Sequence, residues 1–194
     1  KETGGKVDVW SYAWVPQTVA DFQRDFALAR QLAAKQVLVW EADYKPKDGG
    51  DPKALAALYE HLTQALKIDI HFLPADDPVL HGAYGISIYS DEGRFIRLRQ
   101  DLSVIGTIEV LSHESAHLFQ PPYLSRSQGD VFAEIVSAHV AARLGVPEAA
   151  KTSALWLRQH KPSIRMALDL QREIVYVANL LTPGAIVPAS VLER

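Results

Sequence analysis

The spacing of apolar positions divides the first third of the chain into helices and strands. Apolar residues recur every three or four positions over 18–35, which predicts a helix, and 37–40 is typical of a short strand. A second helix is expected after Asp51, which would cap it, with Pro52 at its first position. Its buried stripe would be Leu55, Leu58, Leu62 and Leu66. Strict alternation over 68–72 then predicts a strand.

The remaining pattern indicates a β-hairpin followed by helices. Apolar residues alternate over 86–99 on both sides of a turn at 91–93, which predicts two antiparallel strands. A helix capped by Asp101 should run to about Gln120, where two prolines prevent its continuation. Ser127 and Asp130 would form the capping box of the next helix, which should end at Leu144 before Gly145. Residues 148–182 predict two more helices, interrupted near position 162.

Composition places the chain among ordinary globular domains. Its 194 residues are 48% hydrophobic and 22% charged, so we expect one domain over 1–194 with a flexible lead-in at 1–6. No apolar run reaches the roughly 20 residues of a membrane helix, and we expect no membrane partner. A net charge of −3 gives no global attraction to nucleic acid. Because the first residue is Lys1 rather than Met, we expect a processed product or an excised domain.

The chain has no cysteine, which excludes thiolate metal sites and cysteine nucleophiles. Any metal must therefore be held by histidine and carboxylate side chains. The absence of cysteine also fits a reducing compartment, and we expect a cytoplasmic protein.

Residues His113-Glu-Ser-Ala-His117 form a His-Glu-x-x-His motif inside a predicted helix. Histidines four positions apart lie about 40° apart around the axis and about 6 Å along it, so both can bind one ion. Glu114 lies beside that ion, where its carboxylate can take a proton from a metal-bound water. Chance would produce the bare pattern in roughly one sequence in a hundred of this composition. We therefore predict Zn²⁺ held by His113 and His117, with Glu114 as the general base.

A catalytic zinc needs a third protein ligand and one open position. Asp130, Glu134 and His139 are the candidates on the following helix. We favour Glu134, because the loop at 121–129 can return that helix antiparallel to the first. Asp130 would be a partner behind the ligands or only a cap, and His139 would be a packed or surface residue.

The order of hairpin, His-Glu-x-x-His helix, loop and Glu helix resembles zincin metallopeptidases, especially ImmA/IrrE-type peptidases and the ArdC anti-restriction peptidase domain. Three stretches within 84–182 carry the resemblance. They are Ser112-His-Glu-Ser-Ala-His117, Asp130-Val-Phe-Ala-Glu134 leading to Ala141-Ala-Arg-Leu-Gly145, and the tail containing Trp156. The resemblance implies an α+β zincin-like fold, with a small twisted sheet, an active-site helix and C-terminal helices. Ser115 departs from the Leu, Ile or Ala usual at its position.

The resemblance implies limited endoproteolysis of an intracellular protein, which could be a repressor or a DNA-associated target. The 86–99 hairpin would be the edge to which a peptide adds, and its arginines, Arg94, Arg97 and Arg99, would attract an acidic peptide or protect the edge. Tyr123, with Tyr84 and His81 as alternatives, would stabilise the oxyanion. A local excess of three positive charges over 143–173 fits either a solvated face or direct contact with nucleic acid.

Two other functions fit the same residues. A zincin scaffold that binds without cleaving, as a binding or anti-restriction module, would tolerate Gln in place of Glu114, which a peptidase would not. A metal hydrolase acting on a non-peptide amide would differ in the shape of its pocket.

Overall fold

The computed structural model describes residues 50–150, 153, 157 and 164–192. The lead-in at 1–6, the helix predicted over 18–35, the strand over 37–40 and the Trp156 region lie outside the described residues. Within them the chain is α+β, with a small mixed sheet and helices. The helices are α1 Pro52–Glu60, α2 Val104–Phe119, α3 Arg126–Arg143, α4 Ile164–Asp169, α5 Gln171–Leu181 and α6 Ala189–Leu192. The strands are β1 Ile68–Leu73, β2 Gly85–Ser90 and β3 Gly93–Arg99.

Helix α1 begins as the sequence predicts. The Asp51 carboxylate accepts a hydrogen bond from the Lys53 amide at 2.9 Å, and Pro52 occupies the first turn. Leu58, Leu62 and Leu66 are fully buried, the last two lying in and just after a π-helical turn over His61–Ala65. This apolar stripe packs the start of the described chain onto the core.

The three strands form a sheet in the order β1-β3-β2. The β2–β3 hairpin is antiparallel, as predicted, and β1 pairs with β3 in parallel. Strand β3 is therefore the central strand of this sheet and β2 is one of its edges. The prediction that Arg94, Arg97 and Arg99 charge the edge is wrong, because all three lie on β3.

The three arginines also divide between two faces, since side chains alternate along a strand. Arg94 is buried beneath the sheet, where its Nη2 donates to the Val191 carbonyl at 2.7 Å. Arg97 and Arg99 lie on the other face, each beside an aspartate: Asp69 at 3.5 Å and Asp101 at 2.9 Å.

The cap predicted for α2 is wrong. Ser103 caps the helix, its Oγ accepting from the Gly106 amide at 3.1 Å, whereas Asp101 pairs with Arg99. The helix ends at Phe119, and Gln120 turns into extended backbone before the two prolines.

The cap predicted for α3 is also wrong. Ser125 and Gln128 form the capping box, so Asp130 is not the capping carboxylate. The predicted end is confirmed: Gly145 adopts φ +72°, and the amides of Gly145 and Val146 bond back to the last turn.

Helix α2 lies between the sheet and the other long helices. It contacts β2 and β3 on one side and α3 and α5 on the other. Ile108, Leu111 and Ala116 of α2 are fully buried in the resulting core. Both predicted histidines are thereby fixed on a helix packed on two sides. Within the part of the chain that the structure describes, no helix is long and apolar enough to cross a membrane.

Candidate metal centre

The two motif histidines meet at their Nε2 atoms. His113 and His117 are one turn apart on α2, and their Nε2 atoms lie 3.1 Å apart. Two nitrogens bound to one tetrahedral zinc at about 2.0–2.1 Å would be separated by about 3.3 Å. The imidazoles therefore have the separation that a shared ion requires.

The Nδ1 atom of each histidine, on the side of the ring away from the other histidine, faces an oxygen acceptor. Glu134 Oε2 lies 2.8 Å from His113 Nδ1, and Gln120 Oε1 lies 2.9 Å from His117 Nδ1. Carboxylate and amide oxygens only accept hydrogen bonds, so each Nδ1 carries the proton. In the neutral rings both Nε2 lone pairs then point toward one another, an arrangement that a proton or a metal ion between them stabilises.

Two carboxylates of α3 occupy different positions relative to these rings. Asp130 Oδ1 lies 3.7 Å from His117 Nε2, and ligand atoms of His113, His117 and Asp130 all fall within 4.8 Å of one another. Glu134, one turn later, is buried and contacts His113 on the opposite side of the ring. The geometry thus brings Asp130 to the Nε2 side and Glu134 to the Nδ1 side. Glu134 as third ligand stays a prediction, with Asp130 as its competitor.

The electrostatic surroundings favour a cation at His113. Burial by itself lowers the pKa of this imidazole, but the hydrogen bond that it donates to Glu134 and the charges of Glu134, Glu114 and Asp130 outweigh burial and raise it. Three carboxylates around two imidazoles favour a bound positive charge of either kind, proton or metal.

Glu114 lies on the side of α2 that meets the edge strand. It is partly buried, and its side-chain stem runs along Gly85 of β2. A Cβ at position 85 would lie 3.1 Å from Glu114 Cγ and 2.6 Å from Val110 Cγ1. The glycine therefore lets β2 approach α2 closely at the residue predicted to be the general base.

Four other predicted residues lie elsewhere. Tyr123 is 66% exposed, and its hydroxyl donates to Glu173 Oε1 at 3.3 Å on α5. His139 is buried in α3, where desolvation and the charge of Arg143 lower its pKa to about 3. His81 and Tyr84 are exposed in the loop before β2. The oxyanion role assigned to Tyr123 stays a prediction.

Gln120 is a residue of this centre that the sequence reasoning missed. Glutamine has no strong preference as a partner of metal-binding histidine, so its type carried no signal. Its position did: it follows His117 by three residues at the end of α2, within reach of that imidazole.

A cavity of about 350 Å³ opens beside His117. Its walls are mostly aromatic and aliphatic side chains from β2, α2, α5 and α6, joined by Arg94 of β3 and by the polar side chains of His117, Gln120 and Ser190. The Arg94 guanidinium carbon lies 4.9 Å from the centre of the Phe119 ring and 6.0 Å from that of Tyr89. The volume falls within the range of small-ligand pockets.

Only part of the segment 143–173, for which the sequence gives a local excess of positive charge, lies among the described residues. Arg165 lies 3.8 Å from Asp169 on α4, and Arg143 donates to Thr182 Oγ1 at 3.4 Å. Both residues are thus engaged within the protein.

Comparison with known proteins adds no relative. No protein-family profile, curated protein or solved structure matches the chain.

Proposed function

We propose that this protein is a zinc-dependent metallopeptidase of the zincin type. The observation that carries the proposal is the pair of Nε2 atoms 3.1 Å apart, with each Nδ1 held by an oxygen acceptor. Two surface histidines at this spacing would not need a hydrogen-bond acceptor at the Nδ1 atom of each ring. Oriented rings backed by oxygen acceptors are the usual arrangement of metal-binding histidines.

His113, His117 and Asp130 would hold the ion in this proposal. Asp130 is favoured over Glu134 because its oxygen lies on the Nε2 side of His117. Its carboxylate is also not used in the cap of α3, because Ser125 and Gln128 form that capping box. Glu134 would instead keep His113 in the correct tautomer and increase its basicity. One carboxylate and two imidazoles are a ligand set typical of catalytic zinc.

Zinc, when bound, polarises a carbonyl and makes water acidic enough to be deprotonated near neutral pH. Glu114 is the chain's own general base and acid in this scheme. Its carboxylate would accept a proton from the attacking water and pass it to the leaving amine. The packing of its stem against Gly85 restricts where that carboxylate can lie.

The substrate would be a protein segment in extended conformation. Strand β2 is an edge of the described sheet and passes Glu114 at Gly85, so a peptide added to that edge would run past the motif. The cavity beside His117, with Tyr89, Phe119 and Tyr176 in its wall, would take a large apolar side chain. The resemblance to ImmA/IrrE and ArdC proteins extends the proposal to a repressor or DNA-associated target.

The test combines metal analysis with peptide cleavage. Purified protein is loaded with zinc, freed of excess metal and analysed for zinc per chain. It is then incubated with a proteome-derived peptide library read by mass spectrometry. Glu114→Gln, which keeps the shape and removes the base, is compared with Glu60→Gln, the same change at an exposed position on α1.

We expect about one zinc per chain in all three proteins, and cleavage by wild type and Glu60→Gln only. Loss of a positioned general base commonly lowers rates by about 10²–10⁴-fold. A wild type that takes up no zinc would overturn the metal site. Zinc binding without cleavage by any of the three would overturn the peptidase and favour the non-catalytic binding module.

A further inference from the structure

The end of α2 and the start of α3 are joined through one side chain. Gln120, the residue after α2, directs its Oε1 to His117 Nδ1 at 2.9 Å. The same amide group lies against Gly129 in the first turns of α3. Gln120 therefore lies between the His117 imidazole and α3, the helix that carries Asp130 and Glu134.

Gly129 leaves the space that this amide occupies. A Cβ at position 129 would lie 2.6 Å from Gln120 Oε1 and 3.3 Å from its Cδ and Nε2. Glycine inside a helix is less favourable than alanine. The position is buried and regularly helical, so the local backbone does not itself demand glycine.

Asp130 is the next residue along α3. Its Oδ1 lies 3.7 Å from His117 Nε2, so the two nitrogens of this ring face two groups associated with the same turn of α3. The space at Gly129 thus holds the amide group that faces His117 Nδ1.

We propose that Gln120 is a positioning residue for His117 and that Gly129 is glycine in order to admit its amide. The Gln120 oxygen holds Nδ1–H and so presents Nε2 to the metal. This inference rests on the proposed metal centre and goes beyond it, since it assigns the orientation of one ligand to a pair of residues outside the motif.

The experiment measures zinc affinity by competition with a chromophoric chelator, together with the visible spectrum of the Co²⁺ protein. Gln120→Leu removes the acceptor at similar size, and Gln120→Glu retains it. Gly129→Ala leaves Gln120 in the chain but takes its space. Ser127→Ala is the matched control, an exposed position in the same first turn of α3. Thermal unfolding of the metal-free proteins is recorded in parallel.

We expect Gln120→Leu and Gly129→Ala each to weaken zinc binding by about 10–100-fold, the usual effect of losing a partner behind a ligand. Gln120→Glu and Ser127→Ala should bind zinc as wild type does. Metal-free Gly129→Ala should unfold no earlier than wild type, because the displaced group is the flexible end of a side chain. The double variant should lose no more affinity than Gln120→Leu alone, since both changes remove one contact.

Wild-type affinity and an unaltered Co²⁺ spectrum in Gln120→Leu would overturn the inference while leaving the metal centre intact. Additive losses in the double variant would overturn the coupling between the two residues. Failure of the wild type to bind either metal would instead contradict the proposed function, so the two failures are distinguishable.

Discussion

Glu134 Oε2 and His113 Nδ1 lie 2.8 Å apart, on the side of the imidazole away from His117. Asp130, one turn earlier on α3, reaches toward the Nε2 side instead. The two acidic residues of one helix face thus approach different nitrogens of the histidine pair. Their predicted roles differ accordingly, and the difference is measurable.

Asp130→Ala should weaken zinc binding more than Glu134→Gln does. The first change removes an oxygen from the Nε2 side, whereas the glutamine keeps a carbonyl acceptor for His113 Nδ1–H. Because Glu134→Gln loses only the charge and keeps the acceptor, we expect its loss to stay within about 10-fold, the lower end of what removing a partner behind a ligand costs, and a larger loss for Asp130→Ala. Chelator competition measures both. The opposite order would establish Glu134 as the third ligand.

Gly85→Ala should disturb Glu114. The new methyl would lie 2.6 Å from Val110 Cγ1 and 3.1 Å from Glu114 Cγ, so these side chains or the strand must shift. Overpacking of this kind destabilises by about 1–3 kcal/mol. Denaturant unfolding and peptide cleavage are the measurements, and both should decline. Ser87→Ala, on the same strand, is the control; equal behaviour of the two variants would contradict the close approach.

Ser115→Ala should stabilise the protein. The Ser115 hydroxyl is fully buried, and among the described residues its Oγ has no hydrogen-bond partner. An unsatisfied buried hydroxyl costs about 1–3 kcal/mol, which alanine avoids. We expect a higher midpoint of urea unfolding with an unchanged slope. A lower midpoint would show that the hydroxyl has a partner in solution.

His139 should make the fold sensitive to acid. Its pKa is lowered to about 3 in the folded state, first by burial and then by the charge of Arg143. In the unfolded chain histidine titrates near 6.5. Below that pH the unfolded state binds a proton, whereas His139 in the folded state stays neutral. Its contribution to stability is complete above pH 6.5 and is lost by about 1.4 kcal/mol per pH unit down to about 3.

His139→Phe tests this prediction because it fills similar space without titrating. The free energies of unfolding of the two proteins are compared from pH 7.5 to 4.5. The difference between them should change with pH below 6.5, with wild type losing more. A constant difference across the range would show that His139 has the same pKa in the folded and the unfolded protein, and would contradict the prediction.

The elements themselves were largely predictable, and their caps were not. Periodicity located α1, the β2–β3 hairpin, α2 and α3, because burial of one face imposes a repeat on the sequence. Around the start of α3 two serines compete, Ser125 with Gln128 and Ser127 with Asp130, and both fit a capping box. Which serine caps the helix depends on the path of the preceding loop, and tertiary packing determines that path.

The order of the strands in the sheet could not be predicted from the alternation of apolar residues either. Alternation predicts that β1 is a strand but not that it lies parallel to β3 at the other side of the hairpin. That pairing makes β3 central and moves its arginines off the edge. The pairing joins segments about 25 residues apart in sequence, and only contacts across the sheet can select it.

The sequence by itself determined the two histidines, their common helical face and Glu114 beside them, because helix geometry converts a spacing of four directly into position. The tertiary structure decided which atoms surround those rings. Gln120 and Glu134 at the outer nitrogens, Asp130 at the inner side and Gly85 against Glu114 all depend on how α3 and β2 pack on α2. Contacts between elements are set by packing of the whole core, and no local periodicity in the chain encodes them.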